Sequence, residues 1–136
     1  NFKYKREHPT IAACKHQIIQ GDAFSVLTKL AGDQQKVDMV IIDPPSFASN
    51  KKESRSGLRA YRRLTRLGLQ VLVTGGVLVQ ASCSSRISRH DFLTAIHQEA
   101  DLVGRKIHQL EYTAHALDHP IGFPEGEYLK CIFAET

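Results

Sequence analysis

The sequence predicts an α/β protein built on a mainly parallel, doubly wound sheet. Apolar strand patterns alternate with amphipathic helical patterns along the 136 residues, in the order β-α-β-α-β-α-β-β. One strand pattern, at residues 37–42, is apolar at nearly every position, which is typical of a strand buried on both faces. The helical patterns are long enough for right-handed crossovers between parallel strands.

Composition narrows the class of protein further. Hydrophobic residues make up 42% and charged residues 24%, which are ordinary values for a globular domain. No apolar run approaches the roughly 20 residues that span a bilayer, and residues 1–9 lack signal-peptide character. The three cysteines are too widely spaced for a disulfide framework or a paired zinc site. We therefore expect residues 1–136 to belong to one domain, without membrane attachment, in the reducing cytoplasm.

The first half of the chain contains two strand patterns and two helical patterns. Residues 16–20 form a short strand candidate, and apolar residues at helical spacing follow it: Phe24, Leu27, Leu30 and Ala31. The strand at 37–42 stops at Asp43-Pro44-Pro45, because proline cannot continue a ladder. A second helical pattern runs from Gly57 to Val73 and carries four arginines on its polar, solvent-facing arc: Arg59, Arg62, Arg63 and Arg66.

The second half adds three strands and one helix. Thr74-Gly75-Gly76 is expected to end the helix, and residues 77–81 to form a buried strand that stops at Ser82-Cys83-Ser84. Ser88 with Asp91 resembles a capping box, and it opens a helix with this apolar face: Phe92, Ile96, Ala100 and Val103. Residues 106–112 and 127–133 are expected to be strands, joined by a loop at 118–126.

Three chemically capable residues follow three successive strands, namely Asp22, Asp43 and Cys83. In open α/β sheets, ligands bind outside the carboxyl ends of the strands. The order of elements therefore predicts a site that contains these residues.

Charge is concentrated in one segment. Between positions 51 and 66 there are seven basic residues and one acid, whereas the whole chain carries +4. The basic residues are Lys51, Lys52, Arg55, Arg59, Arg62, Arg63 and Arg66. The segment is either a polyanion-binding surface or an ordinary solvated helix face.

The segment Asp43-Pro44-Pro45-Ser46-Phe47 is the most informative motif. Two prolines fix the backbone that carries a carboxylate acceptor, and the aromatic side chain can stack on a planar ring. A strand terminator with a turn-forming Asp-Pro is the structural alternative.

This segment and two others resemble the class I S-adenosylmethionine-dependent methyltransferases, and among them the bacterial rRNA cytosine-5 methyltransferases of the large ribosomal subunit. The segments are Asp43–Ala48, Ser82-Cys83-Ser84, and the ending Asp118-His119-Pro120 followed by Phe123–Cys131. The resemblance covers essentially the whole chain. It implies a Rossmann-like sheet with a carboxyl-terminal antiparallel pair, S-adenosyl-L-methionine as cofactor, and large-subunit rRNA as partner.

The resemblance also implies roles for individual residues. Those implied to bind the cofactor are Asp22, Ala23, Phe24, Asp43 and Pro44. Asp22 is equally suited to cap the following helix. Those implied to face RNA are Pro45, Phe47, Lys51, Lys52, Arg55, Arg59 and Arg62.

Cys83 is implied to be the catalytic nucleophile. Carbon 5 of cytosine takes a methyl group only after a thiolate has added to carbon 6, and Asp43 would hydrogen-bond the ring of that adduct. Arg86 and Arg89 are placed to favour the thiolate. A small buried hydrophobe is the alternative role for Cys83, as it is for Cys131.

Two departures from the family pattern are visible. The chain has no Gly-x-Gly motif for the methionine half of the cofactor, and Asn1-Phe2 resembles the middle of a helix that follows a second strand. We therefore expect a sheet that lacks its first two strands and a chain that by itself binds the cofactor weakly. The strand at 16–20 would then pair directly with that at 37–42, or two chains would pair exposed edges as a homodimer.

Two other functions remain open at this stage. The Asp-Pro-Pro segment also suits methylation of a nucleobase nitrogen, although Phe47 comes one residue late for that motif. The basic helix alone would suit a non-catalytic RNA-binding domain. A cluster of His115, Asp118 and His119 suggests a metal site, but it lacks further ligands and is interpreted as a turn.

Overall fold

A computed structural model describes residues 7–48, 50–123 and 126–136. The helices are α1 (Pro9–Ala13), α2 (Ala23–Gly32), α3 (Ser54–Val71) and α4 (Arg89–Leu102), with a 3-10 turn at Lys51–Glu53 before α3. The strands are β1 (Val37–Ile42), β2 (Leu72–Ser82), β3 (His108–Thr113) and β4 (Lys130–Glu135). The α/β class is confirmed. The interpretation of Asn1-Phe2 lies outside the described residues.

The four strands form one mixed sheet in the order β1-β2-β4-β3. β1 and β2 are parallel, and β4 pairs antiparallel with both β2 and β3. The predicted carboxyl-terminal antiparallel pair is therefore confirmed, with each strand beginning two or three residues later than expected.

The predicted strand at 16–20 is wrong, because these residues have no regular structure. A short strand needs a neighbour to complete its hydrogen bonds, and the described part of the chain offers it none. Ile18 and Ile19 are consequently exposed. The direct pairing expected between this segment and β1 is not observed, and β1 lies at the edge of the described sheet.

The core lies between one face of the sheet and three helices, with α3 packed between α2 and α4. The sheet residues in this core alternate along each strand: Val40, Ile42, Leu78, Ile132 and Ala134. The expectation that β1 is buried on both faces is wrong, because Met39 is 52% and Ile41 68% exposed. No described helix covers that face, so the doubly wound arrangement is not complete in this part of the chain.

The junction between α3 and β2 also differs from prediction. The helix ends at Val71, and β2 begins immediately, so Gly75 lies inside the strand with φ = +76°. The register jumps from Val37↔Leu72 to Met39↔Val77, which makes residues 73–76 a bulge against β1. Backbone hydrogen bonds with Thr136 hold the two glycines in this bulge.

α4 begins where the sequence predicts. The Ser88 hydroxyl accepts a hydrogen bond from the Asp91 backbone N–H at 3.0 Å, which satisfies one of the free donors of the first turn. Across the described ranges, no helix is both long and apolar enough to cross a bilayer.

Candidate active site

The site forms where the parallel strands β1 and β2 end side by side. Ile42 of β1 pairs with Gln80 of β2. Asp43 is the next residue after Ile42, and Cys83 comes three residues after Gln80. Both residues thus leave the same edge of the sheet, as the strand-end argument predicts. Asp22, the third predicted residue, caps α2 beside this edge.

The Asp43–Ala48 segment is fixed against the loop that carries Cys83. The Ser84 hydroxyl donates to the Ala48 carbonyl at 3.2 Å, a buried contact between residues 36 positions apart. The Ser46 hydroxyl donates to the same carbonyl at 3.2 Å. Ser82 accepts from the Ser84 N–H, which shapes the turn around Cys83. The two motifs that the sequence singles out are therefore joined by hydrogen bonds.

Helix α3 holds the other side of the Asp43–Ala48 segment through Gly57. A Cβ atom at this glycine would lie 2.9 Å from the Phe47 carbonyl oxygen and 3.1 Å from the Ala48 Cβ. Such distances cannot persist, so only glycine permits this approach of helix and segment.

Replacing Gly57 with alanine should therefore disturb the site. We expect Gly57→Ala to cost about 1–3 kcal/mol of stability through overpacking and to loosen the Asp43–Ala48 segment that this glycine lets approach α3. Hydrogen exchange at the amides of α3 and at those of Phe47 and Ala48 measures the two effects. Gly32→Ala is the matched control, since a Cβ at that position would have no neighbour within 4 Å. Unchanged exchange at both places in Gly57→Ala would contradict this role.

The Phe47 ring is packed rather than free. It lies 6.3 Å from the Phe24 ring and 5.0 Å, edge to face, from the Tyr61 ring. Tyr61 in turn contacts Phe92 at 5.6 Å. The ring is half-buried, so it forms a wall of the site and anchors the Asp-Pro-Pro segment to the core.

Charges of the site converge on Tyr61, which is fully buried below it. Burial raises the pKa of the Tyr61 hydroxyl, and the charges of Cys83 and Asp43 raise it further.

A cavity of about 330 Å³ opens next to Asp43, on the α2 side of β1. Its volume falls in the range of small-molecule sites, roughly 300–1,000 Å³. It is lined by Ile19, Gly21, Ala23, Val26, Leu27, Ile41, Ile42, Asp43, Pro44 and Leu64. Apolar walls with one carboxylate at the rim suit a flat heteroaromatic ring that carries an amino group.

Three of the five predicted cofactor residues line this cavity, namely Ala23, Asp43 and Pro44. Asp22 instead accepts hydrogen bonds from the Ser25 N–H and hydroxyl, both at 2.9 Å. The Ser25 backbone hydrogen bond is the main reason that the pKa of Asp22 lies below its usual value. The Phe24 ring is turned toward Phe47 and the Arg63 guanidinium, which lies 4.8 Å from its centroid.

The predicted basic stripe is only partly available to a ligand. Arg62 and Arg66 bind the carboxylate of Glu99 at 2.7 and 2.8 Å, and that side chain is only 1% exposed. Both arginines remain partly exposed on the polar arc of α3, at 35% and 50% of the side chain, but their guanidinium groups are engaged because they compensate a buried charge on α4. Four exposed basic residues just after the Asp43–Ala48 segment, here called the cationic surface, are Lys51, Lys52, Arg55 and Arg59.

Two buried polar residues, Glu99 and Lys130, were not predicted from the sequence. Glu99 shares the helical spacing of Phe92 and Ile96, so its place on the buried face of α4 was visible in the pattern. Lys130 carries no such signal, because a lysine at the start of an amphipathic strand usually faces water. Its burial is evident only from the tertiary structure.

The cysteines differ in environment. Cys83 is half-buried at the site, and Cys14 is exposed at the end of α1. Cys131 is half-buried in β4, where burial raises the pKa of its thiol and the charge of Asp43 raises it further. Cys131 is thus held as a thiol, in line with its predicted place in the strand.

The suspected metal cluster is a set of packed rings. His115 accepts a hydrogen bond from the Leu129 N–H at 3.1 Å and stacks on His119 at 5.7 Å. The Tyr128 ring meets His115 edge to face at 4.6 Å. Over the described ranges, no three histidine, cysteine, aspartate or glutamate side chains are grouped to hold a metal ion.

Known proteins are similar to this chain over most of its length. The chain is 38% identical over 128 residues to a ribosomal RNA large subunit methyltransferase of Deinococcus radiodurans, covering 94% of this chain and 31% of the relative. It is 37% identical over 116 residues to a ribosomal RNA large subunit methyltransferase I of Aeromonas salmonicida, covering 84% of this chain and 29% of the relative. No protein-family profile matches the chain.

A solved structure shares the fold. It is described as that of a methyltransferase complexed with SAH, and it superposes with a TM-score of 0.75 at 24% identity, covering 89% of this chain and 32% of the other. The present chain therefore spans about a third of the length of the proteins it matches.

Proposed function

We propose that this chain, which is homologous to ribosomal RNA large subunit methyltransferases over most of its length, is part of the catalytic domain of an S-adenosylmethionine-dependent RNA methyltransferase. We propose further that residues 1–136 form the carboxyl-terminal part of that domain, which in the longer relatives is accompanied by additional sequence. The target in this proposal is carbon 5 of a cytosine in large-subunit rRNA.

The observation that carries the proposal is the meeting of three separate sequence motifs at one residue, Ser84. Its hydroxyl binds the Ala48 carbonyl of the Asp-Pro-Pro segment. Its carbonyl accepts a hydrogen bond from Lys130 at 2.8 Å, in the motif that precedes and begins β4. Ser84 follows Cys83 directly, so the candidate nucleophile lies where all three motifs converge.

The chemistry follows from the residues around Cys83. Its thiolate adds to carbon 6 of cytosine, forming a carbon–sulfur bond and moving the electrons of the 5,6 double bond toward carbon 5. S-adenosylmethionine supplies the methyl group, as an electrophile on a sulfonium. After carbon 5 has taken the methyl group, loss of its proton to a base reforms the double bond and expels the thiolate. Asp43 lies at the same strand edge, where its carboxylate can accept hydrogen bonds from the cytosine amino group.

The cavity beside Asp43 fits the adenine half of the cofactor. Ala23 and Pro44, which line this cavity, would cover the faces of the ring. Gly21 allows the backbone to lie close to Val26 in the wall of the cavity, since a Cβ at this position would lie 3.3 Å from the Val26 side chain. The chain has no glycine-rich segment for the methionine half.

The cationic surface is the proposed contact with the rRNA backbone. It follows the Asp43–Ala48 segment in the chain and continues onto the first turns of α3, which abut that segment at Gly57. Phosphates bound here would direct an unstacked base toward Cys83.

Analysis of the methylated nucleoside tests the proposal. The full-length protein is incubated with large-subunit rRNA and methyl-labelled S-adenosylmethionine, and the RNA is digested to nucleosides for mass spectrometry. We expect the label in 5-methylcytidine. Label on a base nitrogen would favour the alternative enzyme, and RNA binding without any label would favour a non-catalytic domain.

A further inference from the structure

Lys130 is a buried cation. It is only 3% exposed, and its ammonium donates to two neutral carbonyls, Ser84 at 2.8 Å and Tyr128 at 2.9 Å. The salt bridges found among the described residues all involve Glu99, so no carboxylate there lies within 4.0 Å of this ammonium. Burying an ammonium without a partner anion is costly, and such groups are retained where a negative charge forms or binds nearby.

The position of Lys130 indicates that this negative charge forms at Cys83. Lys130 pairs with Ser82 across the β2–β4 ladder, and Cys83 comes directly after Ser82. The ammonium of Lys130 also donates a hydrogen bond to the carbonyl of Ser84, the residue that follows Cys83. Burial lowers the pKa of the Lys130 ammonium, and the nearby charges of Glu127 and Cys83 oppose that change.

We propose that Lys130 is the positioning residue for Cys83: it fixes the Ser82–Ser84 turn through the Ser84 carbonyl, and its positive charge stabilises the Cys83 thiolate. The thiol proton passes to water when the thiolate forms. This inference rests on the proposed role of Cys83. It adds a role for β4, a strand that carries no group proposed to react with the substrate.

Most other groups around Cys83 act in the opposite direction or are neutral. Asp43 at the end of β1 is negative and disfavours the thiolate. Tyr61 on α3 and Cys131 on β4 both have a pKa raised by burial and stay protonated. Glu127, in the segment before β4, acts on Lys130 and partly offsets its charge. Arg86 and Arg89 follow Cys83 in the chain and are positive as well, but the Arg89 guanidinium lies over the Tyr112 ring, 3.8 Å from its centroid. Lys130 is the cation whose ammonium donates to the turn that carries Cys83.

The test is the pH dependence of Cys83 alkylation in the full-length protein. Iodoacetamide is applied over a pH series, and the rate at Cys83 is followed by peptide mass spectrometry. The midpoint of the wild type is the reference. Lys130→Gln removes the charge but retains an amide donor for the Ser84 carbonyl, so the midpoint should rise by about one unit. Lys130→Arg should restore it.

Lys36→Gln is the matched control, because the Lys36 ammonium also donates to a backbone carbonyl, that of Gln70, but at an exposed site. Its midpoint should equal that of the wild type. An unchanged midpoint in Lys130→Gln would overturn the inference. If that variant does not fold, Lys130→Met takes its place, and an unchanged midpoint in Lys130→Met would overturn the inference equally.

The outcome is separable from that of the proposed function. If Cys83→Ala abolishes methyl transfer while the Lys130→Gln midpoint is unmoved, the role of Lys130 alone is wrong. If Cys83→Ala retains methyl transfer, the proposed function is wrong. Lys130 then has no role in catalysis through Cys83, whatever the midpoint of Cys83 alkylation in Lys130→Gln.

Discussion

Replacing Cys83 with alanine should lower methyl transfer to rRNA by about 10⁴-fold or more, because carbon 5 of cytosine is not nucleophilic until a thiolate has added to carbon 6. Cys83→Ser should be similarly inactive, since a serine hydroxyl is far less acidic than a thiol and does not supply the anion that adds to carbon 6. Binding of rRNA should be unchanged within about twofold, because the cationic surface is untouched. Initial rates with labelled cofactor and a filter-binding assay measure the two quantities.

The other cysteines provide the controls. Cys14→Ser should retain full activity, since Cys14 lies outside the site. Cys131→Ala should cost only a few-fold, because burial keeps that thiol protonated and unsuited to attack. Loss of activity in Cys131→Ala with retention in Cys83→Ala would move the nucleophile to β4 and contradict the assignment.

Removing both arginines that bind Glu99 should produce the largest change in stability. Glu99 is 1% exposed, so Arg62→Met with Arg66→Met would leave a buried carboxylate without a partner. We expect a loss of about 3 kcal/mol, the lower end of the range for an ion pair broken in this way, because the arginines are 35% and 50% exposed. Hydrogen exchange at the α4 amides of the full-length protein reports the free energy of local opening.

Arg55→Met with Arg59→Met is the matched control. It removes the same charge from the same helix but leaves Glu99 paired, so α4 exchange should change by less than about 0.5 kcal/mol. The control should instead weaken rRNA binding and reduce its salt dependence. Equal effects of the two double variants on α4 would contradict a structural role for the Glu99 cluster.

The pH dependence of the same measurement has a definite sign. Burial alone would raise the pKa of Glu99, but hydrogen bonds and charges of Arg66 and Arg62 outweigh burial and lower it below 4.5. The folded wild type therefore binds fewer protons than the unfolded chain near pH 4.5, and its stability falls only as the pH drops through that range. In the double variant burial prevails, the pKa is raised, and stability should fall as the pH rises above 4.5. The difference between the two proteins should thus grow from about pH 4.5 to about pH 7.

Much of the fold followed from periodicity. β1 was placed at its observed bounds, and α4 was placed by its Ser88 cap, because local patterns decide both. The strand at 16–20 failed because a strand depends on a neighbour that its own sequence does not reveal. The Gly75-Gly76 bulge was mistaken for a helix end because a positive φ suits either structure, and only pairing with Thr136 distinguishes them.

The sequence predicts which residues form the site but not the buried charged residues that pack around it. Strand order brought Asp43 and Cys83 to one edge, since parallel strands end together. The sequence does not predict the ion pair of Arg62 with Glu99 or the burial of Lys130. Both depend on contacts between residues far apart in the chain, separated by 37 positions in the first case and by 46 in the second. Sequence identifies the groups that can react, whereas packing decides which charges remain available to a ligand.

Trapping the covalent adduct tests the central claim, that the Cys83 thiolate attacks carbon 6 of cytosine. Full-length protein is mixed with S-adenosylmethionine and an rRNA fragment that contains 5-fluorocytidine. Fluorine at carbon 5 cannot leave as a proton does, so the adduct should persist after methyl transfer. We expect a protein–RNA species that survives denaturation and maps by peptide mass spectrometry to Cys83. Methyl transfer to unmodified rRNA without any such adduct, or an adduct that maps to another residue, would contradict the claim.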